Sequence, residues 1–554
     1  MLIFDIETKT FNGEVNPQND ELRYIGFYEY EKNKYSFYSY KERDKIKSIF
    51  KEHKVIIGFN SHFYDEPILK RAGIWNPNHT HLDLYKIIKK RESLLGCQNE
   101  SKSLKNLARF FKLADNKGDL DYNLLKKDIN TKEEIELIKK YTLQDIKVTK
   151  ELFDYVSDYF KPFKEYLNSY QNRRFYWMTS SIAAYTYKAI CNLTGINEEY
   201  DDNTHRGDYK GGFVSTPEVD EAHGNILLFD FTSLYPFTII QNNLINKKIE
   251  DILLTLYKRR LKYKRVGDTR EYVIKIILNS FYGILANPVF KSVYNLEGAK
   301  ECTRLGRESI KLARRVFREF GYKVLYSDTD SIYIQLNSTQ TKQQAKNIAN
   351  LIIKKIQKTQ TRPDENFKLK IDDEIKHIYF FKTGGQRLKK LYIYVTNENK
   401  VIIKGLPIIK RDSSKIGLKI FKKYIEPKIK NGERYVTIKE LKEWVGDLLK
   451  DNIKVSLRAF YVADKYKYKL KSQLQYKISE RYGAGRHKLI GNDVFGVGCS
   501  VKYCTLKEFK ENGLNVDNID LGKFWKEMSF FLKEPYKLNR KKEREKNNNL
   551  AKWI

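Results

Sequence analysis

YKVLYSDTDSIYIQL, residues 322–336, is the stretch that decides the fold. Strand-forming Tyr, Val, Leu and Ile flank a short polar DTD, so it reads as a β-hairpin with Asp328 and Asp330 at its tip. An isolated D-x-D is usually a solvated turn, but these neighbours belong to a buried sheet. Upstream, NILLFDFTSLYP (225–236) reads as a strand buried on both faces that ends at a turn, and Asp230 interrupts its apolar run. Burying acids in such company is costly unless a cation pairs with them. Two carboxylates on neighbouring strands are the simplest device for holding two Mg²⁺ or Mn²⁺ ions about 3.5–4 Å apart. One ion acidifies an attacking hydroxyl, and the other steadies a triphosphate and its leaving pyrophosphate.

Between these two stretches lie two helical patterns. IEDILLTLYKRRLKYKR (249–265) places Ile249, Ile252, Leu253 and Leu256 on one stripe. VGDT breaks the pattern and REYVIKIILNSFYGILA (270–286) resumes it, giving a helical hairpin. Lys275, Asn279 and Tyr282 share one face at i, i+4 and i+7, and Arg260 and Lys264 are also i, i+4. Towards the N-terminus, strands LIFDI (2–6) and KVIIGF (54–59) alternate with helices LKNLARFFKL (104–113) and EEIELIKKYTLQDIKVTKELF (133–153), the pattern of an α/β domain. FDIET supplies Asp5 and Glu7 on one strand face, NSHFYDEP supplies Asn60 and Asp65, and YTLQD supplies Tyr141 and Asp145 on a helix. Each fragment alone is commonplace. Together they offer four acids from three segments, the kind of oxygen donors that hard divalent ions take.

The chain has 554 residues, too many for one core, and 104 Lys and Arg against 70 Asp and Glu leave a net charge of +34. Such self-repulsion is relieved by a polyanion, most commonly nucleic acid, although a Lys-rich surface alone would look the same. Forty tyrosines add rings on which single strands stack. Five scattered cysteines, Cys97, Cys191, Cys302, Cys499 and Cys504, argue against a disulfide framework and for an intracellular setting. No apolar run is long enough to span a bilayer, and no signal peptide precedes MLIFDIET.

DFTSLYP (230–236), KIILNSFYG (275–283) and YSDTDSIY (326–333) resemble motifs A, B and C of the family B DNA polymerases, in that family's order. The resemblance implies a multidomain α/β and α+β chain, an RNase H-like exonuclease domain followed by a right-hand polymerase. It makes Asp230 and Asp330 the principal metal ligands and Asp328 the weaker acid. Tyr235 is similar to the steric gate against a ribose 2′-hydroxyl. Lys275, Asn279 and Tyr282 would meet the nucleotide, with Arg260 and Lys264 as triphosphate clamps and Arg259 as an alternative. Gly283 would let the template approach. YKGG (209–212), with Tyr209, Gly211 and Gly212, resembles the template-contacting element between nuclease and polymerase. Lys390 and Tyr392 in LKKLYIYV (388–395) resemble the K-x-Y that grips the primer terminus, and KGLPIIKRDSS (404–414) the start of a thumb. The N-terminal segments resemble the family's three exonuclease motifs: Asp5, Glu7, Asp65 and Asp145 as ligands, Tyr141 as the orienting ring, Thr8 and Asn60 on the single-stranded primer end.

The implied boundaries are exonuclease 1–160, connector 161–224, palm 225–248 and 287–409, fingers 249–286, and thumb with the basic tail RKKEREK in 410–554. The interval from Asp230 to Lys275 is short for the family, so the fingers are little more than the hairpin. This compactness is similar to viral, plasmid or mobile-element members, yet the two insertions of protein-primed phage enzymes have no room here. The expected partners are a DNA primer–template and dNTPs, with a terminal protein or processivity factor as further candidates, for a monomer with no membrane attachment. A non-catalytic binding protein would have lost these carboxylates, and a nuclease alone would not need Asp230, Asp330 and Tyr235.

Overall fold

The computed structural model describes residues 1–9, 16–97, 100, 102–113, 131–202, 207–383, 385–409, 415–441 and 443–444, with 489–490, 493–494 and 527–532 beyond them. These fall into two compact units, Met1–Asp208 with Asn243–Ala299, and Tyr209–Asn242 with Lys300–Ile554. Most of the expected thumb, its opening residues 410–414, the basic tail, Cys499 and Cys504 lie outside the described residues.

In the first unit the apolar run at the N-terminus forms β1 (Leu2–Lys9), whose residues Leu2, Ile3, Phe4 and Ile6 are all buried. It lies at the centre of a five-stranded sheet with β2 (Glu21–Glu29), β3 (Lys34–Ser39), β4 (Val55–Gly58) and β5 (Thr80–Asp83), in the order β3-β2-β1-β4-β5. β1 runs antiparallel to β2 and parallel to β4, which is parallel to β5. A centre strand covered on both faces must be apolar throughout, and LIFDI satisfies this except at Asp5. The helix Lys132–Phe160 starts in a capping box between Thr131 and Glu134 and packs across β1 and β2. The expected helix 104–113 is shorter, Leu104–Phe110.

The helical hairpin belongs to this same unit. Its helices, Lys247–Arg265 and Arg270–Leu285, bury Leu253, Leu256, Ile274, Ile277 and Leu278 and pack with the helix Ile182–Thr194. Arg260 Nε lies 2.7 Å from Glu271 Oε1 and ties one helix to the other.

The second unit is built on a six-stranded antiparallel sheet ordered β11-β10-β9-β6-β8-β7. Its strands are β6 (Glu221–Phe231), β7 (Lys323–Asp328), β8 (Ser331–Gln335), β9 (Leu369–Thr383), β10 (Gln386–Thr396) and β11 (Val401–Lys404). The hairpin expected at 322–336 is β7–β8. The strand expected at 225–236 begins earlier and stops at Phe231, and the remaining apolar residues form a helix, Leu234–Gln241. A short, wholly apolar run does not distinguish a buried strand from a buried helix, and seven of the eight residues of this helix are buried. Beneath the sheet an aromatic cluster joins Tyr326, Tyr333, Phe380, Tyr392 and Tyr394. Among the described residues no helix is long and apolar enough to cross a membrane.

Candidate active sites

In the second unit, Asp230 is the penultimate residue of β6 and pairs with Ser331 at the start of β8. The next amide, Phe231 N–H, donates to the Asp330 carbonyl at 2.9 Å, and Asp330 N–H donates to the Asp328 carbonyl at 2.7 Å. The strand end and the hairpin tip are thereby stitched together, with Thr329 at the apex in the left-handed region (φ 59°). Burial first, then the negative charges of Asp330 and Asp372, push Asp230 up to about 8. Asp330 is also raised, by burial and by Asp328 and Asp372, against the opposing charge of Lys390. A group of half-buried carboxylates that repel one another calls for a cation. Oxygen donors of this kind suit a hard divalent ion such as Mg²⁺ or Mn²⁺.

Asp372 was not singled out from sequence, because IDDE in a Lys-rich stretch reads as an exposed strand face. It lies on β9 where the register with β6 slips between Leu228 and Phe229, and such slips re-aim side chains.

The YKGG segment runs beside the hairpin tip. Thr329 N–H donates to the Phe213 carbonyl at 2.8 Å, and Val214 bridges to Asp328. A Cβ on Gly212 would stand 2.7 Å from the Tyr235 hydroxyl and 3.0 Å from Thr329 Cγ2, so a larger residue there would push one of them aside. The Gly211 carbonyl accepts from Arg307 at 3.0 Å, and Tyr209 lies near enough for its charge to act on Tyr235. Tyr235 itself stands in the first turn of the helix Leu234–Gln241, and burial, with smaller effects of Cys302 and Asp330, pushes its hydroxyl up to about 12.

Lys390 and Tyr392 part company. Lys390 Nζ lies 3.3 Å from Asp328 Oδ1 with its side chain 60% exposed, whereas Tyr392 is buried and its hydroxyl donor–acceptor pair is Tyr333, at 3.0 Å. In a regular strand i and i+2 face the same way. Here the register of β10 shifts between Arg387 and Tyr392, and Lys390 takes φ 61°. Gly405 (φ 70°) makes room for this bulge, since a Cβ there would come within 2.0 Å of the Lys390 carbonyl. Tyr392 therefore supports the hairpin from below, and Lys390 is the member of the pair that meets solvent.

In the first unit the three N-terminal segments also converge. Glu7 is buried, and its Oε1 accepts from Thr142 Oγ1 at 3.1 Å, which joins β1 to the helix bearing Tyr141 and Asp145. Asp65 opens the helix Asp65–Arg71, and its carboxylate accepts from the backbone of Ile6, between Asp5 and Glu7. Burial first, and then the charge of Asp83, push Asp65 up to about 8. Asp145 is buried in turn. Tyr141 packs with Ile138, Tyr24 and Phe37 one helical turn before it. Again the donors are carboxylate oxygens, a set that fits a divalent ion.

Two residues outside the sequence reading organise this site. Thr142 anchors Glu7, and Asp83 accepts from the N–H groups of Asn60 (3.0 Å), His62 (3.1 Å) and Lys86 (3.3 Å), so it shapes the turn before Asp65. Burial alone would raise Asp83, but these bonds and the His62 ring hold it below the usual carboxylate range. Asn60 stands exposed on that turn with φ 59°. Thr8 is buried, its hydroxyl 2.5 Å from that of Tyr64, which donates to Asp20 at 2.7 Å.

On the helical hairpin, Lys275, Asn279 and Gly283 are exposed and Tyr282 is half-buried, opposite the core-facing Ile274, Ile277 and Leu278. Lys264 is exposed, while Arg260 is engaged with Glu271.

The family model for DNA polymerase family B matches residues 179–253 and 253–490. The chain belongs to DNA polymerase family B. The RNase H superfamily matches residues 2–158, so this family B chain carries an RNase H-like domain ahead of its polymerase region. DNA polymerase 1 of Pyrococcus abyssi is 27% identical over 368 residues, covering 58% of this chain and 46% of the relative. The DNA polymerase of Archaeoglobus fulgidus is 24% identical over 515 residues, 79% of this chain and 61% of the relative. The family B DNA polymerase of the hyperthermophilic archaeon Pyrobaculum calidifontis has the same fold, with a TM-score of 0.53 and 16% identity over 89% of this chain and 74% of that one. The chain spans about half the length of the first curated relatives it matches.

Proposed function

We propose that the chain is a DNA-directed DNA polymerase that extends a primer 3′-hydroxyl along a template with dNTPs, and a 3′→5′ exonuclease that removes misplaced ends. The observation that carries this reading is the stitching of Asp230 to the Asp328–Asp330 tip, with Gly212 set against both the Tyr235 hydroxyl and Thr329 of that tip. Two Mg²⁺ or Mn²⁺ ions bound by these acids would lower the pKa of the primer hydroxyl and neutralise the triphosphate. Asp230 and Asp330 serve as the ligands and Asp328 as the weaker acid, held off by Lys390 until a primer phosphate draws that lysine away. Tyr235 fills the volume a ribose 2′-hydroxyl would need. Lys264, Lys275, Asn279 and Tyr282 are assigned to the nucleotide. Arg260, engaged by Glu271, supports the hairpin, and the exposed Arg259 is a better clamp.

In the nuclease site, Asp5, Glu7, Asp65 and Asp145 would hold the ions, with Tyr141 placed to orient an attacking water and Asn60 to touch the frayed strand. Thr8 acts through Tyr64 on the shape of that turn. The short fingers interval supports a role in replicating a virus, plasmid or mobile element, and a terminal protein or processivity factor would then supply what compact fingers lack. A 5′-labelled primer on a longer template tests the proposal. The label should lengthen with dNTPs and Mg²⁺ and shorten when dNTPs are withheld. A label that does neither refutes it.

A further inference from the structure

Beside the carboxylates of the first unit lies a group of different chemistry: His62, Glu66 and His81, whose ligand atoms all lie within 4.8 Å of one another. Glu66 Oε2 is 3.0 Å from His81 Nδ1 and 3.9 Å from His62 Nε2. Its other oxygen, Oε1, is held by Lys70 Nζ at 2.6 Å, so Oε2 is the atom left facing both imidazoles. The far nitrogen of His81, Nε2, is also partnered, 2.8 Å from Ser61 Oγ, whereas His62 Nδ1 stands 3.5 Å from Asp83 Oδ2 without a hydrogen bond. A polar group behind an imidazole is the arrangement that fixes tautomer and raises basicity in metal-binding histidines, and His81 has it.

From this geometry we infer a site for one borderline divalent ion, of the Zn²⁺ class, held by His62 Nε2, His81 Nδ1 and Glu66 Oε2. Two imidazoles and one carboxylate select such an ion over the hard Mg²⁺ that all-oxygen sets prefer. The ion would be distinct from those at Asp5, Glu7, Asp65 and Asp145. It would clamp the turn carrying Asn60 and Asp65 onto β5, and so stabilise the nuclease ligands without touching the reacting atoms.

One movement is required. The two rings stack with centroids 4.1 Å apart and planes 4° from parallel, whereas the lone pair of each nitrogen lies in its ring plane. One ring must leave the stack for both to reach the same ion. His81 packs against Phe4 and Trp75, so His62, on the turn with 31% of its side chain exposed, is the ring that turns.

The full chain, stripped by chelator and dialysed against trace Zn²⁺ in a large excess of Mg²⁺, provides the test. Zinc per chain is measured by elemental mass spectrometry, and Co²⁺ replacement by visible absorption. The wild type should keep about one zinc per chain. His62→Asn and Glu66→Gln should each weaken zinc binding at least about tenfold. Asp5→Ala with Glu7→Ala should leave zinc binding unchanged. His62→Asn should also remove the strong absorption of tetrahedral cobalt. A wild type that keeps no zinc overturns the inference, as does zinc held equally by the His62→Asn and Glu66→Gln variants.

Discussion

Replacing Asp330 by Asn should stabilise the protein under one set of conditions while abolishing nucleotide addition. Asp230 has its folded pKa raised from 3.8 to about 8, chiefly by burial and then by Asp330 and Asp372. The native carboxyl keeps a proton that the unfolded chain has already released. Stability is therefore greatest below about 4, declines as pH rises, and carries the whole penalty above about 8. A rise of that size costs the native state at most about 6 kcal/mol. Because burial is the largest cause, removing the Asp330 charge should return a minor share, on the order of 1–2 kcal/mol. For a body of this size that is a melting temperature roughly 1–3 °C higher. Scanning calorimetry in chelator near pH 8.5 should show the gain. Near pH 5 native Asp230 is still protonated and the gain should vanish. Saturating Mg²⁺ should reverse the order, because an ion that binds the native state stabilises the wild type more. An Asp330→Asn protein that melts no higher than wild type in chelator at pH 8.5, or gains equally at pH 5, would refute the electrostatic account.

Gly405→Ala should destabilise by about 2–3 kcal/mol, because its Cβ would strike the Lys390 carbonyl from a left-handed backbone; a denaturant midpoint equal to wild type counts against the bulge. Tyr392→Phe should lose about 1 kcal/mol with the Tyr333 hydrogen bond yet keep primer extension. Slower extension at unchanged stability would instead put Tyr392 on the DNA. Tyr235→Ala should raise ribonucleotide incorporation about tenfold or more, measured as relative kcat/KM for the two sugars; unchanged discrimination removes its role as gate.

What the sequence made legible follows from periodicity and from acids set in apolar runs. β1, β6 and the β7–β8 hairpin stand out because Asp5, Asp230 and Asp330 interrupt segments that otherwise read as buried strand. The helix with Tyr141 and Asp145 carries its own cap and stripe. Asp372 and Asp83 were not legible: one lies in a charged stretch, and the other acts through backbone amides brought to it by the fold. The differing exposure of Lys390 and Tyr392 was not legible, since a bulge accommodated by Gly405 turns one residue out and leaves the other in. The Thr8 hydroxyl lies 2.5 Å from that of Tyr64, a neighbour that only the folded turn supplies. Local pattern reveals acids on regular elements; register slips and turns hide their supports.

The central claim is that two separate carboxylate sites perform two opposed reactions. A 5′-labelled primer–template, incubated with Mg²⁺ and with or without dNTPs, tests this with three proteins side by side. The wild type should lengthen and shorten the primer, Asp330→Asn should only shorten it, and Asp5→Ala with Glu7→Ala should only lengthen it. Extension by Asp330→Asn, or persistent shortening by the double variant, would contradict the account.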